Sequence, residues 1–159
     1  MCFFGFFATL SNMKIISTSA AQTKKIGQLL AEQLRGGEII CLSGDLGAGK
    51  TTFTQGLLKG LKIKGPYTSP TFAIMKEYKI NLKFQISNLK LSSVYHIDAY
   101  RISSKDLRAL GFGDFAGQKN CLVIIEWPEK VKSLIPTNAV WINFKWLNEK
   151  EREITFDTK

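Results

Sequence analysis

A glycine-rich stretch that follows an apolar run limits the folds open to this 159-residue chain. The apolar residues 39–42 lead into residues 44–51, GDLGAGKT, which fit the pattern G-x-x-x-x-G-K-[ST]. In such a loop, glycines admit backbone conformations that a Cβ hinders, and backbone N–H groups converge on an anion at a helix N-terminus. A helix-forming segment follows at 53–61, so the order strand, loop, helix predicts a nucleotide-binding P-loop unit.

Two side chains at the end of this loop have the chemistry that a nucleoside triphosphate requires. We expect Lys50 to bridge the outer phosphates as a mobile point charge and the hydroxyl of Thr51 to ligate Mg²⁺. The alternative is a glycine-rich turn with an incidental lysine. The flanking strand and helix favour the nucleotide site, because chance matches in that context are much rarer.

Composition indicates one globular domain. The chain is 45% hydrophobic and 22% charged, and no apolar run approaches the roughly 20 residues that span a membrane, so we expect no membrane association. The three cysteines are widely spaced and odd in number: Cys2, Cys41 and Cys121. Two of them lie in apolar runs, which predicts buried thiols in a reducing compartment and therefore a cytoplasmic protein.

The formal net charge of +9 suggests a polyanionic partner such as RNA. The positive residues are mostly lysines scattered along the chain without a tight block. A lysine-rich genome would produce the same bias, so charge alone leaves direct RNA contact open.

The first twelve residues, MCFFGFFATLSN, differ from the rest because they are apolar, aromatic and uncharged. They lack the basic region of a signal peptide and are too short to cross a bilayer. We interpret 1–12 as a dispensable extension or an upstream start, and 13–159 as a single P-loop ATPase domain. The alternative is an extra strand packed on the core.

Hydrophobic periodicity and turn residues predict the other elements. A strand at 14–17 precedes a helix at 20–34 that Thr18 or Ser19 caps. The rest are a hairpin of strands at 72–78 and 82–97, a short helix at 103–110, a turn at 111–117, a strand at 122–125, a short helix at 130–135 and a final hairpin at 139–146 and 151–156. Alternation of Val140, Ile142, Phe144 and Trp146 predicts one buried face.

Candidate residues outside the loop fall on three segments. Residues 69–72, SPTF, lie where nucleoside-triphosphate hydrolases often carry a γ-phosphate switch, although a simple turn fits as well. His96, Asp98 and Tyr100 share one face of an extended strand, where a carboxylate can complete a Mg²⁺ shell or orient water. Glu126 ends an apolar run, the position of a second metal-positioning carboxylate.

One further segment resembles a GTPase switch. Residues 114–118, DFAGQ, match D-x-x-G-Q, but turn-like residues precede them instead of a buried strand. A guanine-reading N-K-x-D motif is also missing, since residues 148–151 read NEKE. The sequence therefore favours ATP over GTP.

With these motifs in order, the chain resembles the TsaE family, small bacterial P-loop ATPases needed for threonylcarbamoyl modification of adenosine 37 in tRNA. The matching segments are 44–52, 69–72, 96–101, 110–111 and 125–129, and the resemblance runs from about residue 13 to the last strands. It implies a three-layer α/β P-loop domain, with a mixed, mainly parallel sheet flanked by helices.

The resemblance also implies roles for individual residues. The phosphates would be cradled by Gly47, Ala48, Gly49, Lys50, Thr51 and Thr52. Thr51 and Glu126 are similar to the family's Mg²⁺ ligands, Thr71 to a switch residue near the γ-phosphate, and Asp98 to an essential aspartate that joins the Mg²⁺ shell or activates water. The catalytic set would then be Asp98, Lys50 and Thr71.

Four further residues of the matching motifs are accessory candidates: His96, Arg101, Trp127 and Glu129. The last two lie where the family has nucleotide-site or partner-facing residues. Arg101 is the nearest candidate for a cis arginine, and its alternative role is an ion pair with Asp98. The resemblance places the adenine pocket around 17–20 and the loop near Ile135.

The implied function is an accessory ATPase that acts on a TsaB–TsaD complex in tRNA modification and does not itself transfer the threonylcarbamoyl group. ATP and Mg²⁺ are the expected cofactors, turnover would be low, and contact with tRNA would be indirect. One alternative is a P-loop small-molecule kinase, which needs an arginine-rich lid where this chain has only four scattered arginines. The other is a non-hydrolysing nucleotide-binding scaffold.

Overall fold

The computed structural model describes residues 10–80 and 91–157, and these residues form a seven-stranded sheet between two layers of helices. The strands are β1 (Lys14–Ser17), β2 (Ile39–Gly44), β3 (Met75–Lys79), β4 (Ser93–Asp98), β5 (Cys121–Glu126), β6 (Val140–Trp146) and β7 (Arg152–Asp157). The helices are α1 (Ala20–Ala31), α2 (Lys50–Gly60), α3 (Ser104–Ala109), α4 (Phe112–Phe115) and a 3₁₀ helix, Pro128–Leu134.

The strand order is β1-β7-β6-β2-β5-β4-β3. At the centre, β2 runs parallel to both β6 and β5, and β5 runs parallel to β4. Of the described strands, β3 and β7 run in the opposite direction, and β1 is antiparallel to β7. The sheet is therefore mixed and mainly parallel, which confirms the predicted fold class.

Alternating side chains of the central strands face two separate cores, as the pleat requires. Ile40 and Leu42 of β2 pack with α1 and α2, whereas Cys41 packs on the opposite face with α3, α4 and the 3₁₀ helix. Burial on both faces explains why these strands read as continuous apolar runs. It also raises the pKa of the Cys41 thiol to about 12, with Glu129 adding to the shift.

Three sequence expectations are wrong in detail. The strand expected at 72–78 begins only at Met75, because Phe72 lies in a turn with 92% of its surface exposed. The expected turn at 111–117 contains the short helix α4, which buries Phe112 and Phe115. Trp146 is 49% exposed and does not join the buried face of β6.

Other expectations hold or fall outside the described residues. Ser19 caps α1 and Ser103 caps α3, and the two predicted hairpin pairings, β3–β4 and β6–β7, are present. Cys41 and Cys121 are buried free thiols, whereas Cys2 lies outside the described residues. The strand predicted from residue 82 also begins outside them, and its described part is β4.

The interpretation of 1–12 as an extension stays a prediction, because residues 1–9 lie outside the description. Leu10 packs against the core, and the Asn12 N–H donates to the carbonyl of Phe156 on β7 at 2.8 Å. Within residues 10–80 and 91–157, no helix has the length and apolar character needed to cross a membrane.

Candidate functional site

The phosphate loop joins the end of β2 to the start of α2. Gly44 has φ 125°, and a Cβ there would lie 2.0 Å from the carbonyl oxygen of Phe144 on the neighbouring β6. Gly49 precedes α2 with φ 104°, so that Lys50 becomes the first helical residue. The glycines therefore allow both close packing of the strand end and the sharp entry into the helix.

Lys50 is turned inward over its own loop. Its Nζ donates to the carbonyl oxygens of Gly44 and Asp45, the latter at 2.7 Å, and lies 3.9 Å from the ring centroid of Trp127. The side chain is only 4% exposed. Burial lowers the pKa of Lys50, and the nearby carboxylates, of which Glu126 has the largest effect, oppose that shift.

Glu126 lies at the carboxyl end of β5 and contacts two predicted site residues. The Thr51 hydroxyl donates to its Oε2 at 3.0 Å and lies 3.2 Å from its Oε1. His96 Nε2 lies 2.8 Å from Oε1, and both of these side chains are almost fully buried. Because a carboxylate only accepts hydrogen bonds, this contact assigns the ring proton to Nε2.

Asp98 ends β4 directly opposite Glu126 in the β4–β5 register. Its Oδ2 accepts a 2.7 Å hydrogen bond from Thr71, whose hydroxyl is also 2.7 Å from that of Ser69. Its Oδ1 accepts from the backbone N–H of Tyr100 at 3.0 Å. The predicted switch segment is thus attached to the predicted catalytic carboxylate by one side-chain bond.

The accessory candidates surround these groups. Trp127 adopts a left-handed conformation at φ 59° and packs against Tyr100 at 4.9 Å between ring centroids. Glu129 is exposed on the 3₁₀ helix, and its charge acts on Lys50. Arg101 lies 5.9 Å from the ring centroid of Phe72, and it forms no ion pair with Asp98 in the described part of the chain.

The donor chemistry of this edge fits Mg²⁺. The Thr51 hydroxyl and the Glu126 carboxylate already touch, and the Asp98 carboxylate ends the adjacent strand. Hard oxygen donors suit this cation, which takes only one or two carboxylates and completes its shell with phosphate oxygens and water. Residues 10–80 and 91–157 contain no cluster of three or more His, Cys, Asp or Glu that could hold a metal ion.

A cavity of about 390 Å³ opens beside the phosphate loop. It is lined by Thr18, Ser19, Ala20, Thr23, Gly47, Gly49, Thr52, Glu149, Lys150 and Arg152. The segment expected at the adenine pocket therefore borders it, but Ile135 does not: Ile135 packs against the second core. The loop between β6 and β7 lines the cavity instead, a position that no local motif in the sequence indicates, and the location of the adenine pocket stays a prediction.

Comparison with known proteins agrees with these motifs. A family model described as "Threonylcarbamoyl adenosine biosynthesis protein TsaE" matches residues 17–154. The chain is 38% identical over 148 residues to the tRNA threonylcarbamoyladenosine biosynthesis protein TsaE of Bacillus subtilis, covering 92% of this chain and 86% of that protein. The Treponema pallidum protein of the same name is 35% identical over 147 residues, covering 90% and 98%.

A solved structure is similar as well. The crystal structure of Bacillus subtilis YdiB superposes with a TM-score of 0.71 at 31% sequence identity, covering 93% of this chain and 86% of that one. The two folds are therefore similar over nearly the whole length of both chains.

Proposed function

Because the chain belongs to the TsaE family and so has a role in tRNA threonylcarbamoyladenosine biosynthesis, we propose that it is the accessory Mg²⁺-dependent ATPase of that modification. It acts on a TsaB–TsaD complex in the cytoplasm and leaves group transfer to that complex. The observation that carries the proposal is the contact of Thr51 with Glu126 at the phosphate loop, beside the buried Lys50.

Each residue of the site has a distinct task in this proposal. The phosphate loop binds the β- and γ-phosphates through its backbone N–H groups, and Lys50 neutralises their charge after leaving the carbonyls of Gly44 and Asp45. Thr51 and Glu126 would hold Mg²⁺, which supplies positive charge to the phosphate oxygens when bound. His96 keeps Glu126 oriented through its Nε2–H.

Asp98 is suited to orient the attacking water, because its carboxylate lies opposite Glu126 and is held by Thr71 and the Tyr100 N–H. Thr71 then has two alternative partners, this carboxylate and the γ-phosphate region. Exchange between them would couple the nucleotide state to the position of residues 69–73, as in other nucleoside-triphosphate switches.

We expect low intrinsic turnover, and the position of Arg101 supports this expectation. Arg101 lies against Phe72 and not at the loop, so it does not act as a cis arginine finger in this conformation. Such a finger is worth about 10³-fold or more in related phosphoryl transfers. Stimulation by the TsaB–TsaD complex is therefore expected.

The test measures ATP hydrolysis and co-purification with TsaB and TsaD, with and without tRNA, together with threonylcarbamoyladenosine formation. Lys50→Ala and Asp98→Ala are expected to abolish support of modification while leaving the fold intact. Lys59→Ala is the matched control, because Lys59 is an exposed lysine on the same helix. Wild-type modification with either site variant would refute the proposal, and ATP binding without any hydrolysis would favour the scaffold alternative.

A further inference from the structure

The loop between β6 and β7 lies beside the phosphate loop, although the two are about a hundred residues apart in sequence. Glu149 and Lys150 of this loop, and Arg152 at the start of β7, line the cavity together with Gly47 and Gly49. One wall of the cavity thus comes from a segment outside every sequence motif of the site.

Arg152 connects the two loops. Its Nη1 donates to the backbone carbonyls of Asn148 at 2.5 Å and Glu151 at 3.0 Å, and its Nε donates to the carbonyl of Gly47 at 3.3 Å. The planar guanidinium presents several donors in a fixed arrangement, so one side chain can fasten two backbones at once. A lysine has one donor centre and cannot reproduce this geometry.

The outer side of the phosphate loop is otherwise open at this point. A Cβ on Gly47 would meet no atom within 4 Å, in contrast to the crowded Gly44. The Ala48 N–H of the same peptide donates to the Asp45 carbonyl at 3.2 Å. The peptide that joins Gly47 to Ala48 is therefore held on one side by Asp45 and on the other by Arg152.

The β6–β7 loop has hydrogen bonds of its own that do not involve Arg152. Asn148 Oδ1 accepts from the N–H groups of Lys150 and Glu151, each at 3.0 Å, and Asn148 Nδ2 donates to the Glu151 carboxylate at 2.7 Å. Loss of the guanidinium removes its bonds to the Asn148, Glu151 and Gly47 carbonyls, but the bonds of the Asn148 side chain remain and should keep the turn folded.

We propose that Arg152 is a positioning residue for a purine nucleoside di- or triphosphate, which fastens the β6–β7 loop to the phosphate loop and so forms the wall of the cavity that receives the nucleoside. The inference rests on the proposed function for the identity of the ligand. Since the contact is at Gly47 and not at the phosphate-neutralising Lys50, the effect of Arg152 is the same for diphosphates and triphosphates.

The experiment compares the dissociation constants of ATP and ADP, by calorimetry, for the wild-type protein, Arg152→Gln and Arg152→Lys. Lys14→Gln is the matched control, because Lys14 is an exposed cation on the adjacent sheet edge, paired with Glu153. Arg152→Gln should weaken ATP and ADP by the same factor, about tenfold for a lost set of charge-assisted hydrogen bonds. Arg152→Lys should recover only part of the affinity, and Lys14→Gln should change neither constant.

Thermal unfolding without nucleotide provides the second measurement. Arg152→Gln should unfold within about 3 °C of the wild-type protein, because the hydrogen bonds of the Asn148 side chain remain. Unchanged affinities, a loss confined to ATP, or a loss that accompanies a large fall in the unfolding temperature would each overturn the role. Tight wild-type binding with an unaffected Arg152→Gln refutes this inference alone. A wild-type protein that binds neither nucleotide refutes the proposed function and this inference with it.

Discussion

The phosphate loop and the segment 69–73 flank the same site but are held very differently. The loop begins at Gly44, packed against the Phe144 carbonyl, and ends at Lys50, which is 4% exposed. The other segment carries Phe72 with 92% of its surface exposed and reaches the site through the Thr71–Asp98 bond. The phosphate loop is fixed by packing at both ends, whereas the segment 69–73 has one buried residue, Pro70, and contacts the site through a hydrogen bond that a ligand can replace.

This difference indicates where movement can occur. Segments with few buried apolar contacts open at low free energy, and switch elements are drawn from them. A γ-phosphate that competes for Thr71 needs to replace only one charge-assisted hydrogen bond, worth about 1.5–3 kcal/mol. Displacing Gly44 would instead disturb the centre of the sheet, so the nucleotide can bind to a rigid loop while it reorganises residues 69–73.

The largest expected effect is on the free energy of unfolding and tests the phosphate loop, which we call the rigid half of the site. Gly44→Ala places a Cβ 2.0 Å from the Phe144 carbonyl oxygen at φ 125°, so we expect the free energy of unfolding to fall by about 3 to 4 kcal/mol. Gly47→Ala is the control: it meets no atom within 4 Å, has φ 75° and should cost only about 1 kcal/mol. Urea denaturation measures both, and equal losses would show that packing does not distinguish the two positions.

The second-largest expected effect concerns the negative charge of Asp98, which Thr71 of the segment 69–73 contacts. Asp98→Asn keeps one oxygen acceptor for Thr71 or the Tyr100 N–H but removes the negative charge needed to orient water. We expect steady-state ATP hydrolysis to fall by about 10²-fold or more, with the dissociation constant of ATP changed far less. Glu77→Gln, at an exposed carboxylate on β3, serves as the control. A hydrolysis rate within threefold of wild type would remove Asp98 from the catalytic set.

A smaller effect isolates the bond that links the two halves. Thr71→Val retains the shape of the side chain but loses the hydroxyl that donates to Asp98. We expect amide hydrogen exchange to quicken by about tenfold at Met75 and Asp98, whose N–H groups donate to the carbonyls of Ala73 and Ile74, in line with the loss of one hydrogen bond to a charged group. Thr71→Ser should restore the wild-type rate. If exchange is unchanged in Thr71→Val, the bond does not hold the segment.

The sequence predicts most of the rigid half because its determinants are local. The spacing of Gly44, Gly49 and Lys50 specifies a loop geometry, and continuous apolar runs mark the buried strands that end near Glu126. Because these strands are buried on both faces of the sheet, they contain uninterrupted apolar runs, and the strands can be identified from the sequence. The structure brings Thr51 into contact with Glu126, and the metal-ligand roles that the resemblance implies for them stay a prediction.

The remaining parts depend on long-range packing, which single-residue patterns do not encode. Phe72 has a strand-forming side chain, yet it is exposed because pairing with β4 starts only at Met75. Glycines at 111 and 113 suggest a turn, but burial of Phe112 selects a short helix. Arg152 reaches the phosphate loop because β7 lies between β1 and β6, an order that no local motif specifies.

The smallest expected effect is on the free energy of unfolding when Phe72 of the segment 69–73 is replaced. Phe72→Ser removes an aromatic ring that is 92% exposed. The Arg101 guanidinium lies 5.9 Å from the centroid of this ring. Since the ring buries almost no surface, we expect the free energy of unfolding to change by no more than about 0.5 kcal/mol. Phe53→Ser is the contrasting variant, because Phe53 is fully buried in the core and packs edge-on against Phe144. A loss at Phe72 as large as the one at Phe53 would mean that residues 69–73 pack as firmly as the phosphate loop.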